Sequence, residues 1–126
     1  VPSLLSQGVA QAANGEIQVG VLFSLTGGLS VVEKSISDAT LMAIDEINKS
    51  GGINGAVIKP IVEDGASDPA TFNEKAGKLV IRDRVPTIFG GYTTASRWAI
   101  QPVVEKRKGL LFYPTFYEGS ECSKNI

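Results

Sequence analysis

Short runs of β-branched and aromatic residues alternate with amphipathic stretches along this chain, and every connection between them is short. The apolar runs are Ile17–Phe23 (IQVGVLF), Val57–Glu63 (VIKPIVE), Val85–Gly90 (VPTIFG) and Gly109–Tyr113. Between them, Ser30–Lys49, a stretch opening at Asp68-Pro69, and Thr94–Lys106 carry apolar residues every three or four positions. A strand that returns through a helix must lie parallel to its predecessor. The expected fold is therefore α/β, a parallel sheet with helices on both faces, in the strand order 2-1-3-4.

Local signals sharpen this reading. Ser24-Leu25-Thr26-Gly27-Gly28 leaves the first strand. It lacks GxGxxG and no GK[ST] follows, so it reads as a flexible loop near a ligand and not as a phosphate cradle. Ser30 and Glu33 have the spacing of a capping box. Val32, Ile36, Ala39, Ala43 and Ile47 form the expected buried stripe of the first helix, widened by Leu41 and Ile44. Glycines at Gly51 and Gly52 end it. Asn54-Gly55 is a turn dipeptide. Pro60 cannot donate to a ladder, which sends the second strand to an edge. Asp68 is the expected N-cap of the second helix, with Pro69 at its first position and Phe72, Ala76, Leu79 and Val80 buried. Pro102 clashes with the Trp98 carbonyl, so a kink or break is expected in the third helix. From Pro114 on, no period is visible.

Composition excludes several classes. At 126 residues the chain is one domain, with 43% apolar and 20% charged residues and a net charge of −1. That balance gives no basic face for nucleic acid. No apolar run approaches the roughly 20 residues that span a bilayer. The chain has no histidine, the commonest general base and metal ligand. Its carboxylates are scattered, so no metal site and no cofactor are expected. A receiver domain would need an acid pair after the first strand and an acceptor after the third; Ser24-Leu25 and Gly90-Gly91 stand there instead. Ser24, Thr94 and Ser96 lack a neighbouring base to make them nucleophiles, so an enzyme is not expected. The lone Cys122 reads as an unremarkable thiol.

Binding is the better class, and the strand exits carry it. Ile88-Phe89-Gly90-Gly91-Tyr92-Thr93-Thr94 ends the third strand, and Tyr113-Pro114-Thr115-Phe116-Tyr117 follows the fourth. In open α/β sheets ligands bind outside the carboxyl ends of the strands. Hydroxyls both donate and accept, so aromatic walls furnished with neutral hydroxyls suit a small, neutral, polar ligand. Tyr92, Thr94, Tyr113 and Thr115 are the principal candidates, with Ser24, Thr93 and Tyr117 secondary. Arg97 and Glu118 read as solvated or structural charges.

The runs LFSLTGGLS, AIDEINKSGGINGAVIKPI, EDGASDPATFNEKA, FGGYTTASRWAIQPVVE and GLLFYPTFYEGSECSKNI together resemble the type I periplasmic binding proteins. Within them the branch is similar to urea and short-chain amide receptors. The resemblance covers about Glu16 to Ile126. It implies a fold of two flavodoxin-like α/β lobes joined by a hinge, of which this chain is the N-terminal one, with the second lobe missing. It also implies that Tyr92 and Thr94, after strand three, and Tyr113 and Thr115, after strand four, hold the amide. Thr94 stands where some members have serine.

The implied function is the extracytoplasmic, periplasmic solute-binding component of an ABC transporter, handing urea or a short amide to permease subunits. A cytoplasmic amide sensor regulating an amidase operon is the alternative. A branched-chain amino acid receptor or a small α/β enzyme is a more distant one. Ala10-Gln11-Ala12-Ala13, preceded by Leu4, Leu5 and Val9, has the small-x-small spacing of a signal-peptidase site. Residues 1–15 are thus expected to be a leader remnant or unstructured tail, and residues 16–126 the binding lobe. The outer edge of strand four is expected to lack a partner, which would drive self-association there.

Overall fold

The computed structural model describes residues 15–119 and 121–126. The leader-like stretch at Ala10–Ala13 lies outside the described residues. The element order is β1 (Glu16–Phe23), α1 (Ser30–Lys49), β2 (Val57–Asp64), α2 (Pro69–Gly77, running on as a π-helical turn over Lys78–Arg82), β3 (Thr87–Gly90), α3 (Thr94–Arg107) and β4 (Leu110–Phe112). The strands form one parallel sheet in the order β2-β1-β3-β4, as alternation and short loops require.

Register explains the two cores. Gly20 pairs with Ile61 and Ile88, and Ile88 with Leu111, which makes one row on the face covered by α2 and α3. Phe72, Ala76, Leu79, Ile100 and Val104 pack there. Gly20 is glycine because the α2 side presses onto it: an added Cβ would stand 3.0 Å from the Leu79 side chain. The other face carries Val19, Val21, Phe23 and Ile58 beneath Ile44 of α1. Pro60 sits on β2, the edge strand, where its missing N–H costs no interior ladder bond.

Several terminators behave as their chemistry dictates. Asp68 caps α2, accepting from the Thr71 backbone N–H at 2.8 Å with Pro69 next. Asn54 and Gly55 both have positive φ, and Ile53 and Ala56 close a small antiparallel bridge around them.

Four expectations are corrected. Ser30 does not cap α1; Leu29 is the N-cap, without a side-chain bond, and the Ser30 hydroxyl donates back to the Gly27 carbonyl. Glu33 is drawn into the interior instead of completing a capping box. The buried face of α1 runs through Glu33, Ser37 and Ile44, while Val32, Ala39, Ala43 and Ile47 are exposed. Of the kink or break expected at Pro102, the break does not occur: α3 runs on through it. Pro102 and Trp98 both lie on its exposed side, so the carbonyl that loses its partner faces water. Finally, the outer edge of β4 is not bare. The Leu111 N–H donates to the Asn125 carbonyl and the Asn125 amide to the Gly109 carbonyl, each at 2.7 Å.

Candidate functional site

The exits of β3 and β4 lie side by side, and their backbones dictate what can stand there. Gly90 crosses so close to β1 that a Cβ would lie 2.2 Å from the Leu22 carbonyl oxygen. Gly91 has φ +84°, and a Cβ there would sit 3.0 Å from the Tyr113 ring. Both glycines are thus required, one by close approach and one by a left-handed turn. They deliver Tyr92 to the rim and start α3 at once.

Thr93 is the N-cap of α3. Its hydroxyl accepts from the Ser96 N–H, and Ser96 closes the box from the other side. The buried Ser96 hydroxyl accepts from the Tyr92 and Thr93 N–H groups, each at 3.1 Å, and donates to the Thr93 carbonyl at 2.7 Å. It is fully engaged in holding the turn, which leaves it no role as a nucleophile.

The principal candidates meet around one atom. The Tyr92 carbonyl oxygen accepts the Tyr113 hydroxyl at 2.6 Å and the Thr115 hydroxyl at 3.0 Å. The Thr94 hydroxyl donates to the Glu118 carboxylate on the segment after β4. Tyr92, Thr94, Tyr113 and Thr115 are all half-buried. Three of the four residues therefore converge on a single carbonyl, and the fourth ties the same two exits together through Glu118.

The secondary candidates divide. Thr93 is spent on its cap. Tyr117 turns away: its hydroxyl donates to the Glu121 carbonyl, and its ring lies 5.1 Å from the Arg97 guanidinium. Ser24 is fully buried at the exit of β1. Its N–H donates to Glu33 and its hydroxyl accepts from the Ser67 N–H at 2.9 Å, so it braces the two loops beside the site.

Two charged residues lie fully buried near the site. Of the two readings of Arg97, solvated or structural, the second holds: it is fully buried, paired with Glu121, and held 4.8 Å from the Tyr113 ring. This guanidinium clamps Tyr113 from below. Glu33 is also fully buried, with one carboxylate oxygen on Ser24 and the other without a partner. Burial pushes its carboxyl above the usual range; the Ser24 N–H and hydroxyl pull it down, and the charge of Asp64 pushes it up again. The capping-box spacing marks Glu33 as an exposed helix-start residue, and no spacing rule marks Arg97 as buried; both instead lie on the buried faces of their helices.

Asp64 organises the loop between. Burial raises its pKa, but bonds from the Thr26 hydroxyl and the Ala66, Leu25 and Thr26 N–H groups outweigh that and hold it below the usual carboxylate value. A cavity of about 470 Å³ lies beside the hydroxyl group, against β4. Its lining combines Leu111, Phe112 and Ile126 with Tyr113, Tyr117, Arg97, Glu121, Cys122 and Ser123, so of the four principal candidates only Tyr113 borders it. Among the described residues no cluster of carboxylates and thiols is placed to hold a metal ion.

Comparison with known proteins places this geometry. Residues 17–126 match the family model described as "Periplasmic binding protein domain". The chain is 32% identical over 102 residues to Leu/Ile/Val-binding protein homolog 8 of Brucella abortus, covering 80% of this chain and 25% of that protein. It is 28% identical over 106 residues to the Leu/Ile/Val-binding protein BraC3 of Rhizobium johnstonii, covering 84% of this chain and 29% of the relative. Among solved structures, it superposes with a TM-score of 0.80 and 27% identity on the branched-chain amino acid transporter substrate-binding protein LivJ of Streptococcus pneumoniae, in complex with isoleucine, covering 82% of this chain and 30% of that one. A solute-binding protein of Rhodopseudomonas palustris in complex with 3,4-dihydroxybenzoic acid gives a TM-score of 0.67 at 28% identity, over 77% of this chain and 26% of the other. The chain thus spans between a quarter and a third of the length of these proteins.

Proposed function

The chain belongs to the type I periplasmic binding protein family, and from that premise we propose that it is the ligand-facing lobe of an extracytoplasmic receptor for urea or a short-chain amide. The receptor would deliver its ligand to the permease of an ABC transporter. One observation carries the ligand class. The two strand exits bring Tyr92, Tyr113 and Thr115 together around one carbonyl oxygen, with no free formal charge among them. The charges close by are engaged with protein partners, Arg97 with Glu121 and Glu118 with Thr94. A neutral ligand with N–H donors and a carbonyl acceptor can exchange with those hydroxyls without leaving a buried ion unpaired.

Tyr92, Thr94, Tyr113 and Thr115 are the proposed ligand contacts. In this reading the present hydroxyl-to-carbonyl bonds are the ligand-free arrangement. An amide N–H would take the Tyr92 carbonyl, while the freed hydroxyls donate to the amide oxygen. Ser24, Thr93 and Tyr117 support the loops and do not touch the ligand.

A second reading is a branched-chain amino acid receptor. It is favoured by the names of the relatives, and Glu118 would then meet the ligand's ammonium group. Titration of the chain with urea, acetamide and leucine, followed by amide chemical shifts, separates the two. Shifts at residues 90–94 and 113–118 with acetamide and urea, but not leucine, support the amide reading. The opposite pattern overturns it.

A further inference from the structure

The end of β1 is where three other elements are tied together, and one buried carboxyl holds it. Three successive backbone groups there each bind a different element. The Leu22 carbonyl accepts from the Gly91 N–H at 3.0 Å, and the Phe23 carbonyl accepts from the Gly65 N–H at 2.9 Å. The Ser24 N–H donates to Glu33 of α1 at 2.6 Å. The Phe23 carbonyl and the Ser24 N–H belong to one planar peptide unit. Glu33 and Gly65 thus fix that plane from its two sides. Leu22, one residue earlier, carries the turn that presents Tyr92. The Ser24 hydroxyl adds the β2–α2 loop by accepting from the Ser67 N–H at 2.9 Å. None of these contacts involves the segment after β4.

The two oxygens of Glu33 are not alike. The residue is fully buried in the first turn of α1. Its Oε2 accepts from the Ser24 N–H, whereas Oε1 has no partner. Buried side-chain oxygens are normally hydrogen-bonded, and a bare carboxylate oxygen in the interior is the atom on which a proton is most readily taken up. The surroundings do not pin the charge. The exit of β1 offers the Ser24 N–H and hydroxyl, and β2 brings the like charge of Asp64. Lys34 and Asp38, the nearest charges on α1 itself, are exposed. Among the described residues no lysine or arginine forms an ion pair with Glu33. The start of the helix favours the ion, while burial and Asp64 favour the neutral acid.

We propose that Glu33 is a proton-linked positioning residue for the candidate site: ionised, it locks the end of β1 and with it the Gly91-Tyr92 turn; neutral, it lets both loosen. The inference rests on the proposed function only for the ligand; the latch itself is a property of the β1 exit. A charge-assisted hydrogen bond is roughly twice as strong as a neutral one. A proton added to Oε1 leaves the Ser24 N–H on Oε2 but turns that bond into an ordinary one. The plane between Phe23 and Ser24 is then held firmly from the Gly65 side alone. The preceding carbonyl, which accepts from Gly91, loses its fixed orientation. Linkage gives the converse: a ligand that needs the Tyr92 turn held favours the ionised form of Glu33 and expels its proton.

A chemical-shift titration of the 126-residue chain against pH tests this. The chain has no histidine, so no unperturbed side chain titrates between about pH 5 and 8 to confuse the result. In the wild type, the Glu33 carboxyl carbon and the Ser24, Gly91 and Tyr92 amides should titrate together, with one midpoint above the ordinary 4.5. Glu33→Gln should abolish the transition at Gly91 and Tyr92, with circular dichroism unchanged. Acetamide, at concentrations that move the Tyr92 and Tyr113 shifts, should lower the Glu33 midpoint. A Glu33 carbon that titrates while Gly91 and Tyr92 stay still overturns the latch, and this comparison needs no variant. A transition at those amides that survives Glu33→Gln overturns it as well. Acetamide that binds but leaves the midpoint in place overturns the linkage to the ligand. Coupled titration of Glu33, Gly91 and Tyr92 with no response to acetamide or urea supports the latch and counts against the amide reading alone.

Discussion

At the scale of single residues, two buried groups set the behaviour of the site. Tyr113 gives its hydroxyl to the Tyr92 carbonyl and its ring to Arg97. Tyr113→Phe keeps the ring and removes only the hydroxyl. The loss of one hydrogen bond between neutral partners is worth roughly 0.5–1.5 kcal/mol, so acetamide binding should weaken about threefold to tenfold. Thermal stability should hardly change, because Thr115 still bonds the same carbonyl. Unchanged binding in a calorimeter would reduce Tyr113 to a packing residue. Glu33 makes a prediction of the opposite kind. Its folded-state pKa is raised above the ordinary 4.5, so the folded chain takes up its proton more readily than the unfolded one. The sign follows: folding stability rises as pH falls from the raised pKa towards 4.5, and is flat in this respect below it. Asp64, held below 3.8, acts in the opposite sense and costs stability only as pH falls through its depressed value. Glu33→Gln should therefore melt higher than wild type at neutral pH and lose the gain on mild acidification. Parallel melting curves from pH 7 to 4.5 would contradict this.

At the scale of elements, α1 and α3 show what the sequence made legible and what it hid. The bounds of α1 are those its period predicts, Ser30–Lys49, and the N-cap of α2 is where Asp68-Pro69 places it. Alternation also predicts the strand order. The phase of α1 was not readable, because several of its apolar residues are exposed while Glu33 and Ser37 occupy the core side. A hydrophobic period counts apolar side chains; it cannot know that a carboxyl oxygen inside the fold accepts from the Ser24 N–H. The convergence of Tyr92, Tyr113 and Thr115 was legible from their places after adjacent strands. The clamp of Arg97 was not, since Glu121 lies 24 residues further along the chain. Helix α3 supplies the element-scale prediction. Ser96→Ala leaves the Tyr92 and Thr93 N–H groups without their acceptor in a buried turn. An unsatisfied buried donor costs about 1–3 kcal/mol. Urea denaturation should show that loss with the slope unchanged. Acetamide binding should fall further than in Tyr113→Phe, because the whole Tyr92 turn loosens. A variant as stable as wild type would show that the cap is redundant.

At the scale of the whole molecule, the decisive feature is that the candidate contacts form a wall and not an enclosure. Tyr92, Thr94, Tyr113 and Thr115 are half-buried at the carboxyl edge of the sheet and open to solvent on one side. A ligand seated there exchanges bonds with water for bonds with protein at a net gain of roughly 0.5–1.5 kcal/mol each. A handful of such bonds is offset by an association cost of at least ~4 kcal/mol. The chain alone should therefore bind urea or acetamide no more tightly than millimolar, corresponding to about −4 kcal/mol. Binding should also be nearly insensitive to salt, since a neutral ligand meets no free charge. A zwitterionic amino acid held through Glu118 would instead weaken as salt is raised. Chemical-shift titrations at low and high ionic strength read both quantities at once. Micromolar affinity for acetamide would mean that one wall carries nearly all of the binding energy, and that closure of a second surface over the ligand adds selectivity or timing more than strength.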